Sequence, residues 1–359
     1  MESKTEIIRI KRDLSDPELT AEDLEKISHA GDIIKNGGLV AFPTETVYGL
    51  GGNALDPEAS KKIYAAKGRP SDNPLIVHIA DFEDVKKIAK DIPDEAKKLA
   101  DVFWPGPLTM ILRKKDTVPP ETTGGLDTVA VRLPSDVIAR ELIKASGGFI
   151  AAPSANISGR PSPTQAKYVI EDMDGRIGAI IDGGEGEIGL ESTIVDLTIS
   201  PPQVLRPGFI TNEMLGSVLG TYVETDRALI GADSGIKPRA PGMKYRHYAP
   251  KGDLTIVEGS DNKVAEAIKK MLEEDRAEDL KTAVMVCDEN AGLYDADIVR
   301  TTGPKNDTKE AARRLYSILR SFDDEGAEKI YSESFEASGF GAAIMNRLLK
   351  AAGHKIIHV

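Results

Sequence analysis

The sequence predicts an α/β protein in two parts, the first built on a mixed sheet with flanking helices and the second smaller and more regular. Three observations lead there. Short apolar runs recur from residue 39 to residue 195, and helical patterns separate only some of them. Strands joined by loops too short for a crossover helix pair antiparallel, so the sheet cannot be purely parallel. From about Ile230 the chain turns rich in Gly and Pro with little periodicity, and beyond it strands and helices alternate in a compact β-α-β series.

The elements follow in order. Apolar anchors Ile27, Ile33 and Ile34 mark a helix from about Ala21 to Lys35, ended by Gly37-Gly38 as a C-cap. A buried strand at 39–42 stops at Pro43. Further strands are expected at 75–77, 108–112, 129–131, 149–151, 179–181 and 192–195, with helices at 58–67, 81–104, 135–146 and 164–173. These give a first domain over 20–211 and a linker over 230–251. A second domain over 252–359 has strands at 253–257, 282–287, 298–301 and 328–331 and helices at 262–275, 308–322 and 338–351.

Composition narrows the function. Forty-six Lys and Arg stand against 58 Asp and Glu, a formal charge of −12, which argues against a protein that coats nucleic acid by bulk charge. Segment 237–251 runs the other way: Lys237, Arg239, Lys244, Arg246 and Lys251 face no acid, and Tyr245, His247 and Tyr248 lie among them. A single cysteine, Cys287, leaves no intrachain disulfide framework and no cysteine-cluster metal site. With no signal-like apolar stretch at the N-terminus and no run long enough to span a bilayer, a cytoplasmic location and no membrane contact are expected.

Gly184-Glu185-Gly186-Glu187-Ile188-Gly189 matches a dinucleotide fingerprint in letters only. A strand pattern follows it where a helix is required, and its glutamates would repel phosphate. No P-loop occurs. What remains is a set of polar loops at strand ends. Thr44 and Thr46 follow a buried strand in Pro43-Thr44-Glu45-Thr46-Val47-Tyr48-Gly49-Leu50. Lys67 and Arg69 flank a glycine in a loop stiffened by Pro70 and Pro74, with Asn73 between them. Ser154, Asn156 and Ser162 lie in another such loop, His78 ends a strand, and Arg132 and Arg206 interrupt apolar strands. A lone histidine or a basic pair at a helix end is commonly structural. Four cations with hydroxyl and amide donors suit a small, multiply anionic ligand.

These segments, with Trp104-Pro105-Gly106-Pro107-Leu108-Thr109, Ser192-Thr193-Ile194-Val195-Asp196 and Arg206-Pro207-Gly208, closely resemble the Sua5/YciO/YrdC family. The stretch 240–250 and the C-terminal part look like its long, Sua5 form. The resemblance implies a YrdC-like domain with a twisted mixed sheet followed by a Rossmann-like Sua5 domain. It implies an L-threonylcarbamoyladenylate synthase, a nucleotidyltransferase that converts L-threonine, bicarbonate (or CO2) and ATP into threonylcarbamoyl-AMP and pyrophosphate. A separate threonylcarbamoyl-transferase complex then modifies A37 of tRNAs that read ANN codons, with no stable tRNA binding by this chain required.

By the same resemblance Lys67 and Arg69 are catalytic, and Thr46, His78, Arg132, Ala152 and Ser192 hold threonine. Lys67, Arg69, Asn73, Thr128, Ser154, Asn156, Ser162 and Arg206 hold ATP, joined by Tyr245 and His247 if the linker folds over as a lid. Mg2+ is expected on the ATP phosphates, with no protein ligands assigned. The C-terminal domain carries no chemical motif and is expected to anchor the linker. The competing class is a non-catalytic, translation-associated RNA-binding protein, which the charge of −12 disfavours.

Overall fold

The computed structural model describes residues 4–11, 18–226, 239–240, 247–336 and 338–359. The chain divides into two compact units: Met1–Ser158 with Ser162–Lys244, and Gly159–Pro161 with Tyr245–Val359. Among the described residues no helix is long and apolar enough to cross a membrane.

The first unit opens with β1 (Glu6–Arg9), α1 (Ala21–Lys35), β2 (Val40–Phe42), β3 (Gly49–Asn53), α2 (Pro57–Lys67) and β4 (Ile76–His78). It continues with α3 (Val85–Ile88), β5 (Ala89–Lys90), α4 (Asp94–Phe103), β6 (Leu108–Lys114), β7 (Thr128–Arg132), α5 (Val137–Ala145) and β8 (Ile150–Ala152). It closes with α6 (Ala166–Met173), β9 (Ala179–Asp182), β10 (Thr193–Asp196), β11 (Gln203–Arg206), α7 (Asn212–Leu219) and β12 (Glu224–Thr225). The strands form one mixed sheet in the order β1-β9-β2-β3-β8-β4-β7-β6-β10-β11-β12, with β5 added beside β6. Parallel pairs such as β4·β7 and β6·β10 alternate with antiparallel pairs such as β6·β7 and β10·β11, as the short connections require.

Helices cover both faces. Ile27, Ala30 and Ile34 of α1 join Ile138 and Leu142 of α5 over Val40, Phe42, Ile150 and Ile181. A larger core on the other face gathers Ile63 of α2, Leu99 of α4, Val169 of α6 and Leu215 of α7 with Val77, Met110, Val131 and Val195. Thr20 caps α1 in a reciprocal capping box with Asp23, and Gly37 at φ +76° follows the helix as the sequence predicts.

The expected helix over 81–104 is a correction. Residues 82–84 form a 3-10 turn, α3 and β5 follow, and only Asp94–Phe103 is a full helix. Asp91 takes φ +50° and Pro93 supplies the N-cap position, so the backbone breaks where the apolar periodicity runs on. Strand β3 is an addition, hidden by its composition. Gly51 and Gly52 lack side chains because a Cβ would come within 2.8 Å of Ile150 and 2.9 Å of Leu39, respectively.

The second unit contains β13 (Asp253–Glu258), α8 (Asp261–Ala277), β14 (Thr282–Val286), β15 (Ile298–Thr301), α9 (Thr308–Asp324), β16 (Lys329–Glu333), α10 (Gly339–Ala351) and β17 (Ile356–His358). All pairings are parallel, in the order β15-β14-β16-β13-β17, which is the Rossmann-like layering expected. Only the terminal strand β17 goes beyond the sequence expectation. In the linker, Tyr245, Lys237, Lys244 and Arg246 lie outside the described residues, so the lid expectation concerns residues not described.

Candidate active site

The sheet register assembles the site in the first unit. His78 on β4 lies opposite Arg132 on β7, Arg132 opposite Thr109 on β6, and Thr109 opposite Ile194 on β10, which in turn faces Arg206 on β11. One row across five neighbouring strands therefore carries His78, Arg132, Thr109 and Arg206. Two residues back along the strands, Ile76, Ala130 and Ile111 join Ile194, Leu205 and Ala240 in an apolar patch. Strand alternation puts Ile76, Ala130 and Ile111 of that patch on the same face as His78, Arg132 and Thr109, giving the polar row a dry edge.

Arg132 is 4% exposed, and Glu45 lies beside it with Oε1 2.8 Å from Nη2. Two such charges survive burial only as a pair. The pair is at contact distance but off the line of a hydrogen bond, and the second Glu45 oxygen has no hydrogen-bond partner. Glu45 is held by its own loop. Thr44 Oγ1 accepts the amides of Thr46 and Val47 at 3.1 and 3.2 Å and lies 2.8 Å from the buried Thr46 hydroxyl. The amide of Ile188 donates to Glu45 O, and the amide of Gly186 to Thr164 O. The false fingerprint over 184–189 is thus a brace for this loop, with no helix behind it.

His78 is buried against the edge of Phe42, ring centroids 6.1 Å apart, and its Nδ1 lies 3.2 Å from Ile76 O. Burial, followed by the charge of Arg132, lowers its pKa to about 3, so the ring is neutral at physiological pH. Ser192 sits where two strand ends meet. Its hydroxyl lies 2.7 Å from Thr109 Oγ1, and Arg206 donates to both its carbonyl (3.0 Å) and its hydroxyl (3.1 Å). Ala152, which ends β8, lies opposite Ile76. The predicted threonine residues Thr46, His78, Arg132, Ala152 and Ser192 are thus all buried and tied to this row and its loops.

The predicted ATP residues form a second group. Lys67 ends α2 almost wholly buried, and its ammonium donates to Ser154 O, to Asn156 O at 2.5 Å and to Asn156 Oδ1 at 3.4 Å. Ser154 Oγ donates to Asn156 Oδ1 at 2.5 Å. The Lys67-x-Arg69 and Ser154-x-Asn156 signatures are therefore one structure, with the ammonium as its centre. Arg69 follows Gly68, which takes φ +61° at the helix end, and donates to Pro74 O at 3.2 Å. Asn73 is 1% exposed, yet neither atom of its amide has a hydrogen-bond partner. A buried amide left so is costly and marks where a ligand group belongs. Ser162 Oγ donates to the buried Glu191 at 2.6 Å.

Thr128 stands apart, opening β7 four residues before Arg132, about 13 Å away at roughly 3.3 Å per residue. His247 is in the second unit, buried beside Tyr248 with ring centroids 5.5 Å apart, and Tyr245 is not among the described residues. Arg239 is committed within the first unit to Asp196 at 3.1 Å and to Asp226. Sequence reasoning gave no role to Glu45, Thr109 or Glu191, although all three lie inside or beside the quoted motifs. Among the described residues no three His, Cys, Asp or Glu side chains gather as metal ligands.

A mixed-sheet α/β fold with buried guanidinium groups, small hydroxyls and an unpartnered amide near its strand ends is the kind that binds small anionic ligands. Comparison with known proteins makes this specific. The Sua5/YciO/YrdC family profile, described as "Telomere recombination", matches residues 32–208, and one described as the C-terminal domain of threonylcarbamoyl-AMP synthase matches 210–353. The threonylcarbamoyl-AMP synthase of Pyrococcus abyssi is 52% identical, covering 93% of this chain and 96% of that one. The Bacillus subtilis protein of the same name is 48% identical over 95% and 96% of the two chains. The crystal structure of P. abyssi Sua5 complexed with L-threonine gives a TM-score of 0.91 at 49% identity, covering 99% of this chain and 100% of that one. The chain belongs to the Sua5/YciO/YrdC family.

Proposed function

We infer that the chain is a threonylcarbamoyl-AMP synthase, joining L-threonine, bicarbonate or CO2, and ATP into threonylcarbamoyl-AMP with release of pyrophosphate. The observation that carries this is near-half identity to synthases of that name over more than nine-tenths of both chains.

The site chemistry fits without a dedicated nucleophile. The threonine amine attacks CO2 and loses a proton, giving a carbamate. A carbamate oxygen then attacks the α-phosphorus and pyrophosphate leaves with the electrons of the broken P–O bond. The chain's work is to place two anions together and hold charge that develops on the phosphates. Arg132 takes the threonine carboxylate, steered by Glu45. Neutral His78 offers a ring nitrogen without adding charge, and Thr46 and Ser192 offer hydroxyls. Arg69, Asn73, Ser154, Asn156, Ser162 and Arg206 line the nucleotide's course, and Lys67 fixes the turn that carries Ser154 and Asn156.

ATP enters with Mg2+ on its phosphates. The buried carboxylates Glu45 and Glu191 face Arg132 and Ser162, and Asp172 accepts the Ile157 amide, so the ion is substrate-borne in this reading. A separate transferase then consumes the labile anhydride to modify tRNA. Pyrophosphate exchange into ATP that depends on both threonine and bicarbonate tests the assignment. Arg69→Ala should reduce it about a hundredfold, the scale of losing a charge-stabilising group. Near-normal exchange would remove Arg69 from phosphate handling, and no exchange by the unaltered protein would remove the function.

A further inference from the structure

Two arginines in the second unit are completely buried, Arg320 at 1% exposure and Arg347 at 0%. A guanidinium taken out of water needs a structural reason, because its desolvation is repaid only by well-placed partners. Arg320 on α9 donates to the carbonyl of Pro161, from Nε at 3.1 Å and from Nη2 at 2.7 Å. One turn later on the same helix, Asp323 accepts the amide of Lys251 at 2.7 Å and lies 3.7 Å from the Arg160 guanidinium. The amide of Ala249 donates to Gly159 O at 2.8 Å. Each residue of Gly159–Pro161 is thus gripped within this unit, although in sequence the tripeptide lies between Asn156 and Ser162, both of the first unit. Tyr248 beside Ala249 is fixed as well, stacked on Tyr316 with ring centroids 5.2 Å apart and faced by Arg347 at 6.0 Å.

We propose that Arg320 is a positioning residue for the reaction: by holding the Pro161 carbonyl it sets the nucleotide loop from Asn156 to Ser162 in its ATP-binding form. This gives the C-terminal domain a definite task beyond anchoring the linker. It rests on the reading of Asn156 and Ser162 as nucleotide residues. A bidentate guanidinium bond cannot be reproduced by an ammonium or an amide, so the effect is graded by the side chain.

The test is a steady-state series with Arg320→Lys, Arg320→Gln and Asn156→Ala in the full-length protein, with each variant's thermal unfolding recorded. Arg320→Lys should raise the ATP KM about threefold and Arg320→Gln about tenfold or more, while the threonine KM stays within about twofold, the split expected when only one substrate's site is disturbed. If a folded Arg320→Gln protein keeps the unaltered ATP KM while Asn156→Ala raises it, the positioning role is overturned and the nucleotide loop stands. If Asn156→Ala also leaves the ATP KM unchanged, the loop reading itself falls. If both KM values rise together in proportion to lost thermal stability, Arg320 is a structural residue only. Should Arg320→Gln fail to fold, Arg320→Lys decides by the same split.

Discussion

His78 lies opposite Arg132 in the sheet, and Arg132 in turn lies 2.8 Å from Glu45. The histidine takes up a proton only near pH 3 when folded, against an ordinary value of 6.5. Between those values the unfolded chain binds the extra proton, so the stability tied to neutral His78 is complete above about pH 6.5 and is lost as pH falls toward 3. His78→Gln removes that linkage. Denaturant unfolding at pH 7 and pH 4 should therefore show a smaller loss of stability in the variant than in the original protein, and equal losses would contradict a buried neutral ring. Arg132→Lys keeps a charge opposite Glu45 but loses the planar fork that matches a carboxylate. It should raise the threonine KM about tenfold or more and leave the ATP KM within about twofold, and equal rises in both would contradict the assignment. Arg132 was legible in the sequence because a charge interrupting an apolar strand demands a partner. Its partner was not, since pairing between distant strand ends leaves no local signal.

At the scale of elements, the site depends on loops braced against each other. Gly186, in the loop after β9, has no room for a side chain: a Cβ would lie 2.7 Å from the Thr46 carbonyl, which is backbone and cannot step aside cheaply. Gly186→Ala should therefore displace the Thr44–Thr46 loop and weaken threonine binding several-fold, with far less effect on nucleotide binding. Isothermal titration with each ligand checks this, and unchanged threonine affinity would contradict the brace. The same loop is where a familiar glycine pattern misleads, because Gly186 serves close backbone approach while Gly184 and Gly189 take positive φ, with no helix behind them. Periodicity located most helices and strands, since their apolar faces are continuous. It missed β3, whose glycines carry no apolar signal, and it ran the helix pattern through Asp91 and Pro93, where backbone geometry overrides it.

For the whole molecule, the charge of −12 is an average that hides its useful part. Acidic residues outnumber basic ones, 58 to 46, while Arg132 and Arg206 are buried in the sheet and Lys67 lies at a helix end, each with assigned partners. Such local cations suit a small polyanion. The two-part division was legible from the texture of the chain. The allotment of Gly159–Pro161 to the second unit was not, because the buried Arg320 that holds it lies in an ordinary-looking amphipathic helix. As a threonylcarbamoyl-AMP synthase, this chain makes a carbamoyl-phosphate anhydride from three small substrates. Purified protein incubated with ATP, L-threonine and 13C-bicarbonate, followed by mass spectrometry, tests it directly. Threonylcarbamoyl-AMP carrying one heavy carbon, formed together with pyrophosphate and only when all three substrates are present, is the predicted result. ATP consumption that ignores threonine, or no labelled product above a protein-free control, would contradict it.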